Sequence, residues 1–194
     1  DDILREAYAM GADAAIHLSD RKFAGADTLA TSNALAGALR TLEYDIIITG
    51  RQAIDGDTAQ VGPQIAEHLD IPQVTYVEEV TVKQNNKLLI KKATEEGYQM
   101  LEVTTPCLLT VLSTAGKSRY MTVRGIVKAY TRDVEVWGAD NIEVDETKLG
   151  LKGSPTRVSK SFTKGAKAAG QIYEVDTQEA VDIIVEKLKE KFII

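Results

Sequence analysis

The sequence predicts an α/β fold: a parallel sheet flanked by helices, an antiparallel extension and a C-terminal arm. Three observations point there. Helical periodicity and short apolar strands alternate from residue 2 to residue 69. Ile46-Ile47-Ile48 is β-branched throughout, and a strand apolar on both faces suits a parallel sheet covered on both sides. After Ile71-Pro72 the pattern changes to strands separated by turns. The order αβαβα implies parallel strands joined by right-handed crossovers, a Rossmann-like arrangement.

Residues 2–10 read as a helix with Ile3, Leu4, Ala7 and Met10 on its apolar face, ended by Gly11. Ala14–Leu18 is a short strand. Asp27 caps a helix over 28–42, in which Leu35, Ala38, Leu39 and Leu42 recur at helical spacing. The Ile46–Thr49 strand leads through a turn into a helix ending near Leu69. Residues 73–83 and 87–92 flank the turn Gln84-Asn85-Asn86, and 98–104 follows. Cys107–Leu112 is a buried strand of the same antiparallel extension. Arg119–Tyr130 reads as a loop running into a helix. Residues 1–135 are thus expected as the α/β domain. From about Val136 the chain accumulates Gly, Ser, Thr, Lys and Pro and loses periodicity, so 136–194 is expected as an extended arm. The arm ends in an amphipathic helix, Thr177–Phe192, with Thr177 as cap and Ala180, Val181, Ile184, Val185 and Leu188 as its apolar stripe. That stripe needs burial, either on its own domain or on a partner subunit.

Composition excludes several classes. A net charge of -6 argues against a nucleic-acid partner, because phosphate backbones need clustered Lys and Arg. No stretch approaches the ~18 apolar residues of a membrane span, and no signal peptide opens the chain. The expectation is a cytoplasmic chain without membrane insertion. The one cysteine, Cys107, has no internal disulfide partner and reads as a small buried hydrophobe. His17 and His68 lack companions at metal-ligand spacing, so structural roles and no metal are expected. No candidate nucleophile or catalytic acid–base pair stands out.

The chemistry concentrates in the run Gly50–Gln64, between the Ile46–Thr49 strand and the next helix. In open α/β sheets, ligands bind beyond the C-terminal ends of the strands. Gly50, Gly56 and Gly62 are expected to supply unusual backbone angles and close approach. Pro63 fits a first helical turn, so the helix is expected to start near Gly62, with Asp55–Val61 as a binding loop. The helix start suits a phosphate. Arg51 is placed to pair with it, while Asp55 and Asp57 either cap backbone donors or accept from ribose hydroxyls. Neither a P-loop nor GxGxxG is present, and spacing alone leaves open a polar loop without a ligand.

Gly50–Gln64 closely resembles the adenine-nucleotide motif of electron-transfer flavoprotein beta subunits. Met10-Gly11-Ala12-Asp13, Ala26–Ser32, Pro106 and Ser118-Arg119-Tyr120 match the family pattern too. The resemblance implies the family's adenine nucleotide-binding domain, paired with an alpha subunit that holds one FAD and receives the 136–194 arm. In ordinary members the beta loop binds AMP. In electron-bifurcating members it binds a second FAD that accepts hydride from NADH. The Gly56 form of the loop, with Thr58–Gln64, resembles the bifurcating group. Thr28 and Thr31 match hydroxyls that lie near the second flavin there; read locally, they are a cap and a small helical residue. The implied cofactor contacts are Thr28, Thr31, Gly50, Arg51, Gln52, Ala53, Ile54, Asp55, Gly56, Asp57, Thr58, Ala59, Gln60 and Val61.

The resemblance further implies electron flow to ferredoxin or flavodoxin and to an acyl-CoA dehydrogenase-type partner. Val111–Asp133 matches the family's recognition loop, with Val123 as its apolar anchor. Arg119 and Arg124, with Lys128 and Arg132, give this stretch a positive face. The residues alone leave internal packing of Val123 open. The family also begins with a nucleotide-contacting strand, whereas here Asp1–Ala7 already reads as helix. The expectation is a beta subunit lacking its N-terminal segment, at least one βαβ unit of about 30 residues. The alternatives are an AMP-binding beta subunit of a non-bifurcating complex and an ATP-binding, stress-protein-like module. A flavin-dependent light-responsive domain gains no support from a chain with one Trp, Trp137.

Overall fold

The computed structural model describes residues 1–163, 165 and 169–193, so positions 164, 166–168 and 194 of the expected arm lie outside the described residues. The chain divides into two compact units, Asp1–Arg157 and Val158–Ile194.

In the first unit, α1 (Asp2–Met10) closes at Gly11, whose φ of 110° is left-handed. Its buried face is Tyr8 and Ala9, whereas Ile3 is 81% exposed. Contact with Ala129 of α4 (Val123–Ala129) sets this rotation, overriding the apolar face expected from the helix alone. β1 (Ile16–Leu18) pairs in parallel with β7 (Glu135–Trp137) as a separate two-stranded sheet. The expected hydrogen-bonded continuity between β1 and β2 (Ile46–Gly50) is therefore not formed.

The main sheet has the order β2-β6-β3-β4-β5, with β6 at Cys107–Val111, β3 at Gln73–Val82, β4 at Lys87–Thr94 and β5 at Gly97–Thr104. β6 runs parallel to both β2 and β3. It belongs to the parallel part of the sheet and not, as expected, to the antiparallel extension, which is β3-β4-β5. The reason is visible in its burial. Leu108 packs with Ile47, Ile65 and Ala66 on one face; Cys107 and Leu109 pack with Val74, Val77, Leu88 and Ile90 on the other. A strand covered on both faces takes the interior of a sheet. Burial also pushes the Cys107 thiol up, which keeps it protonated and unreactive.

α2 (Thr28–Leu39) and α3 (Val61–Leu69) cover the Leu108 face. α2 stops before the expected residue 42. Its small residues admit a second layer: Ala34 and Ala38 pack against Ala139, Ile142 and Leu149. At Gly37 an added Cβ would lie 2.9 Å from the Glu143 carbonyl oxygen. This packing, with β7 and the short helix α5 (Gly150–Gly153), holds 136–157 in the first unit, so the arm begins after Arg157 and not at 136. In the second unit, α6 (Thr177–Glu190) is capped by Asp176 rather than Thr177, through Oδ1 bonds from Gln178 N and Glu179 N. None of its residues is buried. No helix among the described residues is long and apolar enough to cross a membrane.

Candidate nucleotide site

The parallel pairing of β2, β6 and β3 ends in one row: Gly50 pairs with Val111, and Val111 with Val77. The segment Arg51–Gln60 lies just beyond this row, and α3 opens directly from it at Val61, one residue from the expected start. No side chain caps α3. Its first-turn N–H groups lack partners within the helix, and the positive end of the dipole is there.

The glycines act differently from the expectation. The left-handed positions of the loop are Asp57 (φ 52°) and Ala59 (φ 53°), not Gly50, Gly56 or Gly62. Aspartate tolerates this region; alanine holds it under strain. Gly62 instead permits close packing: a Cβ there would lie 2.6 Å from Thr49 Oγ1 and 2.9 Å from Thr110 Cγ2. At Gly50 and Gly56 an added Cβ would meet nothing within 4 Å, so the main chain there is open to a ligand.

Side chains tie the loop together. Arg51 Nε donates to Gln52 Oε1 at 3.1 Å, and Gln52 Nε2 donates to Asp57 Oδ1. Asp57 N–H closes a turn onto the Ala53 carbonyl at 3.1 Å. Asp57 is thus a partner of Gln52, while Ile54, Asp55 and Thr58 are exposed. Thr28 Oγ1 donates to Gln60 Oε1 at 2.8 Å and brings the first turn of α2 to the loop. Thr31, one turn on, does not share that bond. It lines an apolar cleft of about 270 Å³ with Leu18, Phe23, Ala30, Ala34 and Leu35.

Asp27 fixes the start of α2. Its Oδ1 accepts from Ala30 N at 3.0 Å, and its Oδ2 accepts from Thr156 N at 3.0 Å and Thr156 Oγ1 at 2.8 Å. Burial works to raise its carboxyl, but these bonds outweigh it and hold the group below the usual aspartate value. Sequence reasoning found the cap and missed the Thr156 anchor, which no local pattern signals.

It also missed Tyr76. This residue sits at a β3 irregularity with φ 57°, and the Arg51 guanidinium carbon lies 5.8 Å from its ring centroid. The available signal was the spacing of Val74 and Val77, two core residues three apart that break strand alternation.

The 119–132 stretch is divided. Val123 opens α4 behind a Thr122 cap and is 81% exposed, so it does not pack internally. Arg119 and Arg124 are exposed as well. Tyr120, Val127 and Tyr130 add exposed apolar surface beside them. Arg132 departs from the expected positive face: it donates to the carbonyls of Ala12 and Asp13 and stacks over Tyr8.

The donor set fits an adenylate. It offers an open glycine backbone, an uncapped helix start, an exposed guanidinium and a hydroxyl–amide pair. The electron transfer flavoprotein domain family matches residues 1–142. Electron transfer flavoprotein subunit beta of Clostridium acetobutylicum is 55% identical over 188 residues, covering 97% of this chain and 72% of the relative. Its counterpart in Thermoanaerobacterium thermosaccharolyticum is 52% identical over 192 residues, 98% of this chain and 74% of the relative. The caffeyl-CoA reductase-Etf complex subunit CarD of Acetobacterium woodii is 46% identical over 195 residues, 100% of this chain and 74% of the relative.

Proposed function

The chain belongs to the electron transfer flavoprotein beta-subunit family, and from that premise we propose that its Gly50–Val61 loop binds the adenylate of an FAD in an electron-bifurcating complex. The stress-protein-like alternative thereby drops out. The observation that carries the flavin reading is the Thr28–Gln60 hydrogen bond, because it joins the Thr28 hydroxyl, which in bifurcating relatives matches one near the second flavin, to the nucleotide loop. The likeness to a subunit named for a caffeyl-CoA reductase complex supports the same choice.

The roles of the residues follow from their chemistry. The N–H groups that open α3 and the open backbone at Gly50 and Gly56 receive the phosphates. Arg51 supplies charge to them. Gln52 and Asp57 hold the loop in its turn. When bound, a flavin would supply the redox chemistry between NADH and two electron acceptors. The protein's task is to bind, orient and tune it, which needs no catalytic acid or base.

The partners proposed are an alpha subunit holding its own FAD, ferredoxin or flavodoxin, and an acyl-CoA dehydrogenase-type protein. The arm after Arg157, with the unburied α6, suits the alpha subunit. Exposed Val123, flanked by Arg119 and Arg124, suits docking on the dehydrogenase. A cytoplasmic location goes with these partners. The second reading is AMP at the same loop, since the loop's phosphate donors would serve it equally. Titrating the complex with NADH while following flavin absorbance separates them: bleaching of a second flavin supports the FAD reading, and none supports AMP.

A further inference from the structure

We propose that Tyr76 is a positioning residue of this site, its ring face holding the Arg51 guanidinium at the end of β2 where it meets an adenylate phosphate. The inference rests on the nucleotide reading of the loop and adds a residue from a different strand.

Val74 pairs with Leu109 and Val77 with Val111, so β3 spends one residue more than β6 over this span. Both valines stay in the core, at 6% and 0% exposure. The extra length is taken up at Tyr76, which turns left-handed and donates its N–H to Thr110 Oγ1 at 3.2 Å. Glycine or asparagine would take that conformation with less strain. Tyr76 is 39% exposed there, and its aromatic ring is what the position offers.

Gly50, Val111 and Val77 form the last row of the parallel pairing, and Arg51 and Tyr76 are each one residue from it. Their separation of 5.8 Å is within cation–π range. Gln52 engages Arg51 at Nε, which leaves its terminal nitrogens to donate. A guanidinium restrained on two sides gives up less side-chain freedom when a phosphate arrives.

The test uses the full chain in its complex with the alpha subunit and measures affinity for AMP, FAD and adenosine, the last being a probe without phosphate. Tyr76→Phe keeps the ring face and should bind as the unaltered protein does. Tyr76→Leu and Tyr76→Gly should weaken AMP and FAD by about two- to fivefold and leave adenosine unchanged. Tyr76→Gly also relieves the left-handed strain, so it should melt no lower than the unaltered protein. Arg51→Gln should weaken AMP, and adding Tyr76→Gly to it should cost nothing further. Equal losses for adenosine and AMP, additive losses in the double variant, or unchanged AMP and FAD affinity in Tyr76→Gly would each overturn the proposal. An unaltered complex that binds neither AMP nor FAD would overturn the nucleotide reading and this inference together. Binding with an additive cycle would remove only the Tyr76 role.

Discussion

Thr28 Oγ1 donates to Gln60 Oε1 at 2.8 Å, so the residue that opens α2 is bonded to the residue that precedes α3. Two chain segments that each read as a local helix start meet at one site. Thr28→Val should lower affinity for AMP or FAD by about fivefold, the worth of one ordinary hydrogen bond. Gln60 is exposed and can bond to water instead, so melting temperature should hardly change. Calorimetric titration alongside thermal melts checks both; unchanged affinity would detach Thr28 from the site.

Gly62→Ala places a methyl group 2.6 Å from Thr49 Oγ1 and 2.9 Å from Thr110 Cγ2. Overpacking of this kind costs about 1–3 kcal/mol. Urea unfolding should show that loss, with weaker nucleotide binding because α3 is pushed from the sheet. A variant as stable as the original would refute the close-packing role.

The Asp27 carboxyl is held below its usual value, since hydrogen bonds from Ala30 and Thr156 outweigh the effect of burial. A depressed carboxyl contributes stability that is fully present above the unfolded value of about 4 and is lost as pH falls through the folded value. Asp27→Asn should therefore flatten the decline of melting temperature below about pH 4. An acid slope identical in the two proteins would contradict the assignment.

The α/β class, the Asp27 cap and the start of α3 near Gly62 were legible because each is set by local chemistry. The place of β6 was not: an apolar run at 107–112 states that a strand is buried, and the choice of neighbours is made by distant residues. The late return of 136–157 was hidden for a related reason. Ala139, Ile142 and Leu149 follow no helical or strand period, and only the small residues of α2 give them a surface. In the loop, residue type misled. Glycines were expected at the left-handed positions, but Asp57 and Ala59 occupy them, and Gly62 serves packing instead.

His68 is pushed below its usual value by burial, then by the nearby charges of Arg40 and Lys148. A depressed histidine contributes stability that is present above 6.5 and is lost as pH falls below it toward the folded value. His68→Gln should remove that part of the pH dependence in thermal melts below about pH 6.5. Retention of the full slope would assign it to another group.

Val123 is exposed at the start of α4. Val123→Ala should slow electron transfer to the dehydrogenase partner by roughly tenfold if it is a hot spot, with flavin content unchanged. Equal transfer rates would argue against its docking role.

The central claim is that the Gly50–Val61 loop carries the adenylate of a flavin. Denaturing the purified alpha–beta complex and quantifying the released nucleotides tests it most directly. The account predicts two FAD per pair and no AMP; one FAD with one AMP would contradict it.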